Sequence, residues 1–587
     1  MNHNVAKPAA LAKVLLLLFL SLRLSADTFH RYSAAMLSKR SNSIVWPLGA
    51  LLIAVPVCLP MLMLVFSAFA PESDSWAHLR DTVLLDYLVN TVLLMVLVAL
   101  GAGSMGVFTA WLTVRYEFPL RRWLVPALAL PLAAPAYVIG YVYADLLEFS
   151  GPLQTALRGW LQLAPDTAVM PNVRSLPGAA IVISLVLYPY VYLLARASFV
   201  QQSAVLYEAA ATLGATGTQL FRRIALPVAW PGIAGGLALV LMETVADYGV
   251  VEHYGVPTLT SGIFRTWFAM GESAAALQLA GWLFIIVCLL VVAEHFARRG
   301  QFFNPLGGQN AGQRKQTSLA RGWLISLLCW LPVVFGLLVP LLALTVMSVS
   351  HFELAQLSDL SKLIANSTWV SALAAFFCAG FALWLGYAER LNSGALMRAG
   401  VRVATLGYAV PSLVLAVALM VPLTTFDKFI AVFMRDTLGW QPRLLITGTV
   451  GALVMVYVAR FLTVAYNATQ AGLAQVHPQL DAAARSLGSS PRVVLSKVHM
   501  PLLRPSVLVG FLLVFIDVMK ELPATLILRP FNFDTLATWV FRFASDERLA
   551  QAAPAALLIV LVSLIPTALL VRAREAGRAP QVAADRV

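Results

Sequence analysis

Twelve apolar runs, separated by short polar stretches, set the pattern of this chain. Six fall at 46–69, 89–113, 123–145, 176–197, 231–251 and 278–297; six more fall at 323–347, 369–388, 402–423, 444–465, 505–523 and 550–571. Each is near the ~20 residues that a helix needs to cross a bilayer. An open-ended segment in lipid has to be helical, because its backbone groups must bond within the segment. The pattern therefore predicts an all-α polytopic membrane protein with twelve transmembrane helices. The stretch 298–322 contains Gly307-Gly308 among polar residues and reads as a linker between two six-span halves. The expected layout is an N-terminal extension over 1–45, a first half over 46–297, the linker over 298–322, a second half over 323–571 and a tail over 572–587.

Near the N-terminus a shorter run, Val14 to Leu22, lies between Lys13 and Arg23. It is too short to span, and no small-residue cleavage site leads into a soluble domain. It reads as a cytoplasmic or interfacial extension, with Met36 as an alternative start.

Composition sharpens the class. The 587 residues are 60% hydrophobic and only 12% charged, against roughly 25% charged in a globular domain. The net charge of +13 does not mark a nucleic-acid binder, since no basic stripe carries interleaved stacking aromatics. It marks topology instead. Arg115, Arg121 and Arg122 follow the second span, Arg390, Arg398 and Arg402 follow the eighth, and the linker holds Arg298, Arg299, Arg314, Lys315 and Arg321. The tail adds Arg572, Arg574 and Arg578, whereas 70–88 carries Glu72, Asp74, Asp81 and Asp86 against Arg80. The positive-inside rule then puts both termini and the linker in the cytoplasm. The four cysteines, Cys58, Cys288, Cys329 and Cys378, lie inside apolar runs without metal or disulfide spacing.

Two polar inserts repeat in register, 274 positions apart. The first reads Glu208-Ala209-Ala210, three residues, Gly214, nine residues, Ile224, one residue, Leu226-Pro227. The second reads Ala482-Ala483-Ala484, three residues, Gly488, nine residues, Val498, one residue, Met500-Pro501. Pro231 and Pro505 follow each in turn. Alanine-rich sequence forms helix readily, and glycine ends it by taking left-handed dihedrals. Arg222 and Arg223, or Arg492 and Lys497, suit carboxylates on a partner. Other pairs point to the same duplication: Asn90-Thr91 with Asn366-Ser367-Thr368, Pro135 with Pro411, and Thr266-Trp267 with Thr538-Trp539. Six spans is an even number, so the halves run parallel about an axis along the membrane normal.

The paired inserts resemble the EAA loop of ABC-importer permeases. Over about 45–571 the chain is similar to a fused two-domain permease of a binding-protein-dependent importer. The resemblance implies that the inserts dock onto ATPase subunits, two copies for two loops, and that a periplasmic substrate-binding protein delivers the cargo. No phosphate-cradling G-x-x-x-x-G-K-[ST] occurs, so ATP and Mg belong to the partner and this chain carries no cofactor and no catalytic residue. Ala482 stands where the first copy has Glu208; Asp481, one residue earlier, is expected to serve as the docking carboxylate in its place, so that the two docking contacts differ in strength.

Four acids also repeat. Glu243 and Asp247 lie in the fifth span, and Asp517 and Glu521 occupy the matching places in the eleventh. A spacing of four predicts both carboxylates of a pair on one helix face, about 18–24 Å above Pro231 or Pro505 at ~1.5 Å per residue. A charged side chain at mid-membrane costs roughly 2.5–3.5 kcal/mol, so four acids suggest a wet, cation-friendly path along which a metal passes without lodging. Structural ion pairs, with Lys520 adjacent, and ordinary span-end residues are the competing readings. Segments 243–257 and 517–525 resemble those of ferric-iron permeases. Thiamine permeases share the fused layout, and putrescine fits the charge. His253 and Tyr254 follow the fifth span without metal spacing, and His477 and His499, flanking the second insert, are expected in solvent. Segments 252–277 and 524–549 are expected in the periplasm, where Phe264, Trp267, Trp539 and Phe541 either meet the binding protein or anchor at the interface. A cation- or proton-coupled secondary transporter, using the same acids as a relay, is the rival from another class. A membrane scaffold with no transport role is a second.

Overall fold

A computed structural model describes residues 45–67, 74–298, 314–351, 356–392, 394–440 and 445–576. The N-terminal extension with Val14 to Leu22, most of the linker and most of the tail lie outside the described residues. Among those described, eleven helices are long and apolar enough to cross a membrane, or twelve if one sharply bent pair counts as a span. The only strands described are a two-residue parallel bridge, Tyr116–Glu117 with Lys315–Gln316. Arg314 from the linker end reaches Glu117 at 3.2 Å beside it.

The expected third span, 123–145, is the bent pair. Arg121–Ala133 and Ala136–Trp160 meet at 91°. Pro126, Pro131 and Pro135 remove amide donors and crowd the preceding turn, which shortens the first piece to one helix and a 3-10 turn, Leu130–Ala133. The ninth span shifts for the same reason. Pro411 precedes a helix that begins at Ser412 and runs to Leu438, where Gly439 takes φ 64°, so the expected 402–423 becomes 412–438. The short helix Ala395–Ala404 and a 3-10 turn, Gly407–Ala409, occupy what precedes it. The other ten spans keep their order, with ends displaced by up to fourteen residues because polar helical turns extend the apolar cores.

The chain forms two compact units. One comprises residues up to 79, 263–285 and 353–539. In it Gln356–Leu391, Val450–Leu473 and Met500–Met519 pack together, and Val45–Ser67 packs on Ala395–Ala404 and Ser412–Leu438. Trp46 meets Trp384 with ring centroids 5.5 Å apart. The other unit comprises 80–262, 286–352 and 540 onward. Its centre is Leu84–Arg115 against Leu176–Val200, with Leu226–Ala246 on both. Gly106 and Gly236 flank Val191 so closely that a Cβ on either would lie 2.6–2.7 Å from it. Small residues at such crossings let helix backbones approach where lipid supplies no hydrophobic drive.

Candidate functional site: the repeated loops and the paired acids

Both inserts fold alike. In the first, Ala204–Thr212 is followed by Gly214, the short helix Gly217–Leu220, a π-helical turn Phe221–Ala225 and the span helix Leu226–Ala246. In the second, Pro478–Ser486 is followed by Gly488, Pro491–Val494, a π-helical turn Leu495–His499 and Met500–Met519. Gly214 and Gly488 both have φ +79°, a conformation that an L side chain adopts only with strain. Thr216 and Gln219 form a reciprocal cap on the first short helix; His477 caps the first helix of the second insert, through the Gln479 amide.

Glu208, Ala209, Arg222, Arg223 and Pro227 are exposed, Ala210 is buried and Ile224 is half-buried. In the second copy Ala482, Ala483, Arg492, Lys497 and Pro501 are exposed, while Ala484 and Val498 are half-buried. One feature escaped the sequence reading. Leu213 is 89% exposed and Leu487, its equivalent, 85% exposed. Each sits immediately before the left-handed glycine and is thrust outward by that turn. A matched pair of bare leucines beside basic residues suits a partner groove with an apolar floor and an acidic rim. The sequence signal was present, a leucine on a polar helix at the same register in both copies, but only the fold shows that it faces outward.

Asp481 does not share the exposure of Glu208. Its carboxylate accepts from Arg390 Nε at 2.7 Å and from His499 Nε2 at 2.5 Å. His499, expected in solvent, is fully buried, because it closes the π turn against Tyr387, with ring centroids 5.2 Å apart. His477 is exposed as expected.

The paired acids divide differently from the expectation of one helix face. Glu243 and Asp517 lie in their helices, but Leu226–Ala246 ends before Asp247 and Met500–Met519 ends before Glu521. Asp247 accepts from the Val250 amide at 2.9 Å, and Glu521 from the Ala524 amide at 3.2 Å. Each thus caps the short helix that follows, Gly249–His253 or Pro523–Leu528. The second pair also has cations: Lys520 lies 3.0 Å from Asp517, and Arg460 lies 3.6 Å from Glu521, the latter pair 7% and 6% exposed. The first half has Ala246 and Val186 at the places of those cations. Among the described residues, no three His, Cys, Asp or Glu converge as a metal site.

Beyond the acids, the duplicated Asn/Thr and Asn/Ser pairs do the same work twice. Asn90 donates to the Pro257 carbonyl at 3.1 Å, and Thr91 accepts from the Leu259 amide at 3.1 Å. Asn366 donates to the Asp534 carbonyl at 3.0 Å, and Ser367 accepts from the Leu536 amide at 2.8 Å. Each pair ties the loop after the acids to the start of a neighbouring span. His253 ends the short helix Gly249–His253, its ring 4.6 Å from Tyr141. Burial, helped by Arg174, lowers its pKa to about 4, so the ring is neutral at ordinary pH.

Residues 31–299 and 379–575 match the protein family described as "Binding-protein-dependent transport system inner membrane component". The Fe(3+)-transport system permease protein FbpB 2 of Haemophilus influenzae is 28% identical over 526 residues, spanning 89% of this chain and 96% of its own. The sulfate transport system permease protein CysW of Escherichia coli is 30% identical over 35% of this chain and 68% of its own. The molybdenum transport system permease protein ModB of Escherichia coli is 28% identical over 33% and 84%.

Proposed function

Since this chain belongs to the family of binding-protein-dependent transport system inner membrane components, we propose that its two repeated loops seat two copies of a separate ATPase and that its cargo is ferric iron. It is the multi-pass permease of an ABC importer rather than an enzyme, and it works with an ATPase and a periplasmic binding protein. The observation that carries the docking reading is the matched pair Leu213 and Leu487, each bare beside a glycine at φ +79°. Two equivalent knobs call for two equivalent sockets. The Lys and Arg distribution favours a cytoplasmic position for both loops, the linker and both termini.

Iron rests on the Haemophilus relative, which is similar along nearly the whole chain, while the sulfate and molybdenum relatives match about a third of it. The acids add support of a particular kind. Lys520 and Arg460 pair with Asp517 and Glu521, and carboxylates at matched positions of both repeats suit the oxygen-ligand preference of a hard cation. In this reading the binding protein delivers the ion to the outer mouth. ATP-driven closure of the two ATPases moves the loops, and the six-span halves rock about their shared axis. ATP and Mg stay on the partner.

The deciding experiment is to purify the cognate binding protein and identify what it holds. Ferric iron on oxygen ligands supports the assignment. An organic amine, sulfate or molybdate in its cleft replaces the substrate while leaving the permease reading intact. Uptake into vesicles driven by a proton gradient without ATP would favour the secondary-transporter rival.

A further inference from the structure

We propose that Arg390, Asp481 and His499 are positioning residues that lock the second docking loop to the membrane helix Gln356–Leu391, and that the two loops are therefore fastened by different chemistry. The proposal rests on the docking reading above.

Arg390, in the last turn of Gln356–Leu391, uses three nitrogens on three targets. Nε donates to Asp481 at 2.7 Å, Nη1 to the Leu473 carbonyl at 3.0 Å and Nη2 to the Val476 carbonyl at 2.9 Å. Leu473 ends the span helix Val450–Leu473, Val476 lies in the connection, and Asp481 sits in the first turn of the docking helix Pro478–Ser486. One planar fork thus joins the end of a span to the loop that leaves it, a geometry that lysine cannot reproduce. One turn earlier, Tyr387 donates to the Pro491 carbonyl at 2.7 Å, holding the other arm of the loop. Asp481 then reaches across to His499, where the loop re-enters the membrane helix. Charge-assisted bonds of this kind are the stronger class.

Comparison with the first loop makes the role specific. The positions equivalent to Asp481 and His499 are Tyr207 and Ala225, and they too are linked. Tyr207 donates to Gln202, and Gln202 donates to the Ala225 carbonyl at 3.0 Å. The Tyr207 ring also lies under the Arg115 guanidinium, 5.2 Å from its centroid, and edge-on to Trp111 at 6.1 Å. The same two points of each loop are clasped, by neutral amide and phenol groups in the first copy and by a carboxylate shared between a guanidinium and an imidazole in the second. His499 is fully buried and the Asp481 side chain only 15% exposed, which argues that both act through the loop rather than on the ATPase.

The test uses the full permease assembled with its ATPase and binding protein in proteoliposomes, comparing Asp481→Asn, His499→Leu, His499→Gln and Arg390→Lys. The expected result is that every variant copurifies with wild-type amounts of ATPase. Binding-protein-stimulated hydrolysis falls about tenfold in Asp481→Asn, His499→Leu and Arg390→Lys, the scale of losing one charge-assisted bond, with KM for ATP unchanged. His499→Gln, whose amide also donates to Asp481, stays within about twofold of wild type. A nitroxide at position 487 reads the loop directly in the permease alone. It should gain mobility in Asp481→Asn while a label at 213 does not. Full stimulated hydrolysis or an unchanged label in Asp481→Asn overturns the proposal, as does loss of ATPase from a monodisperse Asp481→Asn permease, which would make Asp481 a partner contact. A wild-type permease that binds no ATPase removes the docking reading and this proposal together.

Discussion

Leu213 and Leu487 are single residues whose exposure only the fold reveals. Replacing either with Asp puts a charge on the tip of a loop proposed to dock the ATPase, without touching the core. Copurification of the ATPase should drop by about tenfold or more for each, since burying an unpaired carboxylate in an apolar socket costs more than the ~1.4 kcal/mol that a tenfold loss represents; unchanged recovery would locate the socket elsewhere. A second residue-scale prediction concerns Arg460 and Glu521. Removing one partner of a buried ion pair costs about 3–5 kcal/mol, whereas an apolar pair of similar volume is often neutral. Arg460→Leu should therefore lower the unfolding temperature in detergent sharply, and adding Glu521→Leu should restore much of it. The acids themselves were legible in the sequence because they repeat at one offset. Lys520, the partner of Asp517, was legible beside it, but the distant partners were not. Arg460 lies 61 positions from Glu521, and Arg390 lies 91 positions from Asp481, so no local pattern announces either contact, and His499 looked like a loop residue for the same reason.

Apolar length predicted which elements exist, and proline decided where they break. Ten spans were readable because lipid demands a long uninterrupted run, while 123–145 bends and 402–423 shifts at Pro131, Pro135 and Pro411, whose missing amide donors interrupt a helix without lowering its hydropathy. Helix ends were equally hidden. Asp247 and Glu521 lie past their helices as caps, so the four-residue spacing did not place them on one face. The loops beyond them carry two predictions. Thr91→Val and Ser367→Ala each leave a buried amide unsatisfied, a cost of about 1–3 kcal/mol. Hydrogen exchange at Leu259 and Leu536 should accelerate accordingly, and unaltered protection would show that these loops are held elsewhere. His253 sets a pH response. Its folded pKa of about 4 lies below the ordinary 6.5, so the unfolded chain binds more protons between those values. Its contribution is fully present above pH 6.5 and is lost as pH falls toward 4. His253→Gln should flatten that part of the stability profile, and an identical profile would place the sensitivity in another group.

At the scale of the whole molecule, compactness cuts across chain order. Val45–Ser67 belongs by sequence to the first half, yet it packs in the unit built mainly of 353–539. A chain shortened to begin after Ser67 should be cut first by protease within 395–438, where that helix was removed, and should leave 80–262 protected; cuts spread evenly over both would refute this. The duplicated plan was legible because both copies kept the Gly and Pro positions of the loops, whereas this exchange of helices leaves no trace in hydropathy. The widened π turns, Phe221–Ala225 and Leu495–His499, fall at identical places in both repeats. A turn of that kind houses one residue more than an α turn, and two independent insertions at one register are far less economical than a single inherited one. One widened turn older than the duplication accounts for both copies with a single event.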